Sequence, residues 1–135
     1  MYLNLGVGPK PIAPQWIKIM EEYAPPNDWF LVDKYIKEPG IKNWDIRNLN
    51  EFLDGTVNVI VSGHTLEHVA IKEVLSTLKE WFRVLKSGGK LIVATPDMEW
   101  VAFQLLRLLS PDPLNSGDWK SSKLFNTPEM LMEVV

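Results

Sequence analysis

Along the chain, apolar positions recur with two different periods, and each change of period marks an element. Tyr2 to Leu5 leans apolar and reads as a strand, closed by Gly6 and Gly8 in "LNLGVGP". In "PKPIAPQWIKIMEEYAPP", Trp16, Ile17, Met20 and Tyr23 recur at helical spacing. Pro14 suits the first turn of that helix, where its missing N–H does no harm, and Pro25 and Pro26 stop it. "WFLVD", Trp29 to Asp33, is apolar up to its last residue, as expected of a strand covered on both faces. "IKNWDI" predicts a weaker third strand ending near Asp45. Asp54-Gly55 predicts a turn, and Val57 to Ser62 a β-branched fourth strand. Thr65 is placed as the N-cap of a second helix, with an apolar stripe through Val69, Val74, Leu75, Leu78, Trp81, Phe82 and Leu85. Ser87-Gly88-Gly89 is predicted to end it. Lys90 to Pro96 forms a fifth strand, "MEWVAFQLLRLL" a third helix, and "SPDPLNSGDWKSSKLFN" a long loop. Thr127-Pro128-Glu129 then carries the marks of a helix start: a capping hydroxyl, an N1 proline and an acid near the positive end of the dipole.

Strands alternating with helices argue for a parallel sheet with helices on both faces. In such sheets ligands bind beyond the carboxyl ends of the strands, where the strand order switches direction. That rule gathers four segments around one crevice: the turn at Gly6–Gly8, Asp33, Asp45, and the loop Gly63–His68. Asp33 ends the second strand about 25 residues past a glycine turn, where a carboxylate suits the two hydroxyls of a ribose. A dinucleotide fingerprint, G-x-G-x-x-G, would put its third glycine at Pro11, and Lys10 with two prolines stiffens the loop, so a nicotinamide cofactor is the weaker reading.

Composition narrows the classes. The chain of 135 residues suits a single domain over residues 1–135, and 46% hydrophobic content is enough for a core. Net charge is -3, with 14 basic against 17 acidic residues and no basic block, so nucleic acid is not an expected partner. No cysteine is present, which excludes disulfides and thiolate chemistry. No stretch has the pattern of a signal peptide or the length of a membrane span, so a soluble, cytoplasmic location is expected, without membrane contact.

Taken together, "LNLGVGP", "WFLVD", "WDIRNLN", "DGTVNVIVSGHTLEHV" and "TLKEWFRVLKSGGKLIVATPD" resemble the class I S-adenosylmethionine-dependent methyltransferases, over roughly residues 2 to 97. The resemblance is to the small-molecule type with an "LEH" loop. It implies an α/β fold: a Rossmann-like three-layer sandwich with a mostly parallel sheet in the order 3-2-1-4-5, here with the final strands missing. It implies S-adenosylmethionine as cofactor. Leu5, Gly6 and Gly8 would approach its methionine part, Asp33 would hold the ribose diol, and Asp45 would face the adenine amine with the backbone of Ile46 at the ring edge. Gly63 and His64 would lie beside the methionine and the sulfonium. Four positions depart from the family pattern: Asn4 for an acid, Lys10 for a third glycine, Asn58 for an aspartate and Ser87 for a proline. The family also has helices before the first strand and a helix with two strands at the end. Their expected absence would leave the fifth strand as a bare edge, through which two copies could pair.

Methyl transfer from a sulfonium needs mainly positioning; a general base is needed only for a weak nucleophile such as a hydroxyl. His64 is the candidate base, while His68 reads as a packing or capping residue and Glu67 as a first-turn acid. "HTLEH" differs from the zinc pattern H-E-x-x-H in where the acid stands, and no metal is expected. Trp16, Trp29 and Trp81 fit core stripes, whereas Trp100, Trp119, Asp97 and Glu99 are candidates to line an acceptor pocket. The leading function is methyl transfer to a small-molecule or glycan-like acceptor. The alternatives are a catalytically silent cofactor-binding module and a nicotinamide-dependent oxidoreductase.

Overall fold

The computed structural model describes residues 1–97 and 129–134. Strand β1 (Tyr2–Leu5) leads through the glycine turn to helix α1 (Pro14–Glu21), and β2 (Trp29–Val32) is followed by the two-residue β3 (Ile41–Lys42). Then come β4 (Val57–Gly63), α2 (Ile71–Val84), β5 (Leu85–Pro96) and β6 (Glu129–Val134). The sheet runs β3-β2-β1-β4-β5-β6. Its first five strands are parallel, and β6 joins antiparallel, with Glu129 opposite Pro96 and Val134 opposite Leu91. The order predicted for five strands, 3-2-1-4-5, is thus the order observed.

Alternating residues of the central strands fill two cores, one on each face, as a three-layer fold requires. Leu3, Leu5, Ile60, Leu91 and Val93 pack on the α2 side with Trp81 and Val84. Val59, Val61, Ile92 and Ala94 pack on the α1 side with Trp16, Met20 and Trp29. Asn4, the departure from the family's acid, is buried on the α1 side and donates from Nδ2 to Met20 Sδ at 3.2 Å.

Six expectations are corrected. Glu129–Val134 is a strand and not a helix, because pairing along Leu91–Pro96 decides the conformation of a segment too short for its local signals to rule. The same pairing covers the edge of β5 that was expected to be bare, and it supplies one of the final strands expected to be missing. Helix α2 ends at Val84, four residues before Gly88; Leu85 is already extended and pairs with Val57, so Ser87-Gly88-Gly89 lies in an irregular start of β5. The third strand stops at Lys42, because side chains bend the backbone after it: Asn43 Nδ2 donates to the carbonyls of Asp33 and Ile36, and Asp45 Oδ1 accepts from Arg47 N–H. Strand β2 is not covered throughout, since Phe30 is 38% exposed and stands edge-on to Phe52. The helix expected in "MEWVAFQLLRLL", the loop after it, and Trp100, Trp119 and Glu99 lie outside the described residues.

Candidate functional site

At the carboxyl ends of β1, β2 and β4 lies a cleft of about 330 Å³, within the range of small-molecule sites. Gly6, Asp33, Asp45 and Ile46, four of the residues singled out from the sequence, line it.

The glycine turn is stitched to β2. Gly6 and Val7 donate their N–H groups to the Val32 carbonyl at 2.8 and 3.2 Å, and Gly8 N–H donates to Asp33 Oδ2 at 3.0 Å. The other oxygen of Asp33 accepts from Tyr35 and Ile36 N–H at 2.9 and 3.1 Å. A carboxylate has about four lone-pair positions, so three N–H groups fix its orientation and leave one position on Oδ2 for a ligand hydroxyl. Asp33 therefore has room for one O–H of a ribose diol without losing a backbone partner.

Gly6 sits at φ +72°, a conformation that side chains resist, and a Cβ there would collide with Thr65. Thr65 Oγ1 lies 3.2 Å from the carbonyl of Gly6 and 3.1 Å from that of Gly63, so this hydroxyl ties the tips of β1 and β4 together instead of capping α2. It precedes a short 3-10 turn, Leu66–His68, and α2 begins only after Ala70. Space above Gly63 is filled by the indole of Trp16, whereas a Cβ at Gly8 would meet nothing within 4 Å among the described residues. Leu5 is fully buried, and its carbonyl accepts from Ser62 Oγ at 3.1 Å.

Asp45 is the most heavily bonded group in the cleft. Its Oδ1 accepts from Arg47 N–H and Nε at 3.0 and 2.9 Å, and its Oδ2 from Lys34 Nζ and Arg47 Nη2 at 2.9 and 2.7 Å. The Arg47 guanidinium, helped by Lys34, holds this carboxyl well below the usual carboxylate range against the opposing effect of partial burial. Arg47 also reaches Glu73 in the first turn of α2 at 3.0 Å, so a chain of ion pairs crosses from the tip of β2 to α2. Ile46 is anchored from behind, its carbonyl accepting from Trp81 Nε1 at 2.8 Å.

The two histidines divide differently from the sequence reading. His68, read as a packing residue, lines the cleft, as do Lys34, Tyr35, Arg47 and Glu73, which sequence reasoning missed. His64 is not among the lining residues; it stands at the tip of β4 with a left-handed φ of 52°. Its ring is edge-on to Trp16 at 6.3 Å, and its Nδ1 lies 3.4 Å from Glu67 Oε1. Among the described residues no cluster of three acids or histidines is placed to hold a metal ion, and no helix is long and apolar enough to cross a membrane.

Such a cleft lies where open α/β sheets place their ligands, at the switch point of a 3-2-1-4-5 sheet, with an acid at the end of the second strand. A family model described as a methyltransferase domain matches residues 12–93. The chain belongs to that methyltransferase domain family. No curated protein matches the chain. Among solved structures, a protein from Pyrococcus horikoshii OT3 is 21% identical with a TM-score of 0.58, over 78% of this chain and 53% of that one. A SAM-dependent methyltransferase from Archaeoglobus fulgidus is 15% identical with a TM-score of 0.57, over 77% of this chain and 50% of that one. A structure described as a DhpI-SAM-HEP complex is 17% identical with a TM-score of 0.55, with the same coverages of 77% and 50%. These likenesses are of fold, and the chain spans about half the length of the structures it matches.

Proposed function

We propose that the cleft binds S-adenosylmethionine and that the domain transfers its methyl group to a small-molecule acceptor. One observation carries this reading: the Asp33 carboxylate is set in the cleft wall by three backbone N–H groups with a lone-pair position still open. The residues fit the cofactor. Asp33 would accept a ribose hydroxyl, Ile46 would flank the purine, and the carbonyls gathered at the tips of β1 and β4 suit a cation. When bound, the cofactor supplies a methyl group on a sulfonium, activated for in-line displacement, so the protein's part is mainly to position. A hydroxyl acceptor would also need a base; His64, the candidate from the sequence, stands beside Glu67 at the tip of β4, outside the residues that line the cleft.

Titration calorimetry with S-adenosylhomocysteine and with NAD tests the cofactor. Binding of the first and not the second is expected. Asp33→Ala removes a charged hydrogen bond, and S-adenosylhomocysteine affinity should fall roughly ten- to a hundredfold. Equal affinity in a variant that melts as the parent does would remove Asp33 from the ribose. Labelled cofactor with a panel of small-molecule acceptors tests transfer itself; saturated cofactor with no label moved would favour a silent module.

A further inference from the structure

All lone-pair positions of Asp45 are engaged, yet its four donors are not equally held. Arg47 contributes three of them, through N–H, Nε and Nη2, and is braced from behind by Glu73. Lys34 contributes one, at 2.9 Å, on a side chain that is 43% exposed. Its ammonium also lies 5.8 Å from the ring centre of Tyr35, which is itself 81% exposed, so a second resting place is at hand. Arg47 therefore orients Asp45, and Lys34 is the donor that can leave.

We propose that Lys34 is a displaceable stopper at the nucleobase end of the cleft, its ammonium holding the place on Asp45 Oδ2 that the exocyclic amine of an adenine nucleoside takes. The inference rests on the cofactor reading above. Binding exchanges one N–H donor for another on the same oxygen, and Lys34 swings toward Tyr35. A purine with oxygen at that position presents an acceptor there, and its nearest proton, on ring N1, reaches Asp45 only if the base shifts in the cleft. Without that shift it cannot replace the ammonium, and it gains instead from leaving Lys34 in place as a donor to its own oxygen. The stopper thus weakens binding of the amine and favours its oxo counterpart.

Calorimetry on the full chain, with S-adenosylhomocysteine and its deaminated 6-oxo analogue S-inosylhomocysteine as probes, decides it. Lys34→Met keeps the length and removes the charge. An exposed ion pair of this kind is worth up to about 1 kcal/mol, so the amine ligand should bind about two- to fivefold more tightly to the variant. The oxo ligand should bind equally or less well, widening the preference for amine over oxo. Lys34→Arg, which retains the stopper, should keep the parent's preference. An unchanged or narrowed preference in Lys34→Met would overturn the role of Lys34. Failure of both ligands to bind the unaltered protein would overturn the cofactor reading, and the role with it.

Discussion

Gly63→Ala isolates a steric demand made by one side chain. Gly63 ends β4, and a Cβ there would fall within the indole of Trp16, on its Cζ2 and Cε2 atoms. Gly63 is not among the glycines with positive φ, so the backbone accepts alanine and the cost is contact alone. Trp16 is 9% exposed and packs with Met20, Trp29, Val61 and Ala94, which leaves the ring little room to tilt. Overpacking a filled core costs roughly 1–3 kcal/mol, and a direct overlap with an immobile ring belongs at the upper end, about 3 kcal/mol. That is a large part of a stability on the order of 5–15 kcal/mol. Urea unfolding followed by far-ultraviolet circular dichroism measures it. Trp16→Leu costs about 2–3 kcal/mol by the cavity it opens, and it also removes the obstruction. In that background Gly63→Ala should cost less than about 1 kcal/mol, a coupling near 2 kcal/mol. Additivity of the two changes within about 0.5 kcal/mol would refute the account, because it would mean that Gly63 is there for something other than Trp16.

Acid should reveal the ion pairs around α2. Arg83, bonded to both oxygens of Glu80, lowers that carboxyl, as the Leu49 N–H does, and Arg47 lowers Asp45 further. A depressed carboxylate stabilises above its unfolded value, near 4, and the gain is lost as pH falls through the folded value. The melting temperature should therefore drop steeply only below about pH 4, and Glu80→Gln should flatten that slope; an equal slope in the variant would exclude Glu80. Trp81→Phe removes the fully buried indole N–H that holds the Ile46 carbonyl. It should cost about 2 kcal/mol in urea unfolding and weaken S-adenosylhomocysteine by calorimetry; stability lost with affinity unchanged would show that the anchor does not reach the cleft.

What was legible in the sequence follows the range of the interactions responsible. Central strands buried on both faces write themselves as apolar runs, so β1, β4 and the second half of β5 could be read directly, and with them the crevice at their ends. Glu129–Val134 could not, because Thr127-Pro128-Glu129 has good local chemistry for a helix and only the pairing with β5 decides otherwise. Thr65 is a similar case: its position suggests a cap, yet its hydroxyl goes to the Gly6 carbonyl, distant in sequence, as well as to that of neighbouring Gly63.

Asp33 shows why a site residue can be located from sequence before its capacity is known. Its place at the end of β2 follows from the strand, and the glycine turn ahead of it was visible. The turn, however, does more than admit a ligand: Gly8 donates to Asp33, while Gly6 and Val7 donate to the carbonyl before it. Structural and ligand-binding roles therefore draw on the same carboxylate, and three structural bonds limit the ligand to one. Asp45 carries the same argument further, since Arg47 and Lys34 leave it no open position. A ligand that needs both acids must bring a hydroxyl to the first and displace a donor from the second. That requirement makes the base selectivity of the Lys34 variant, more than its affinity, the informative measurement.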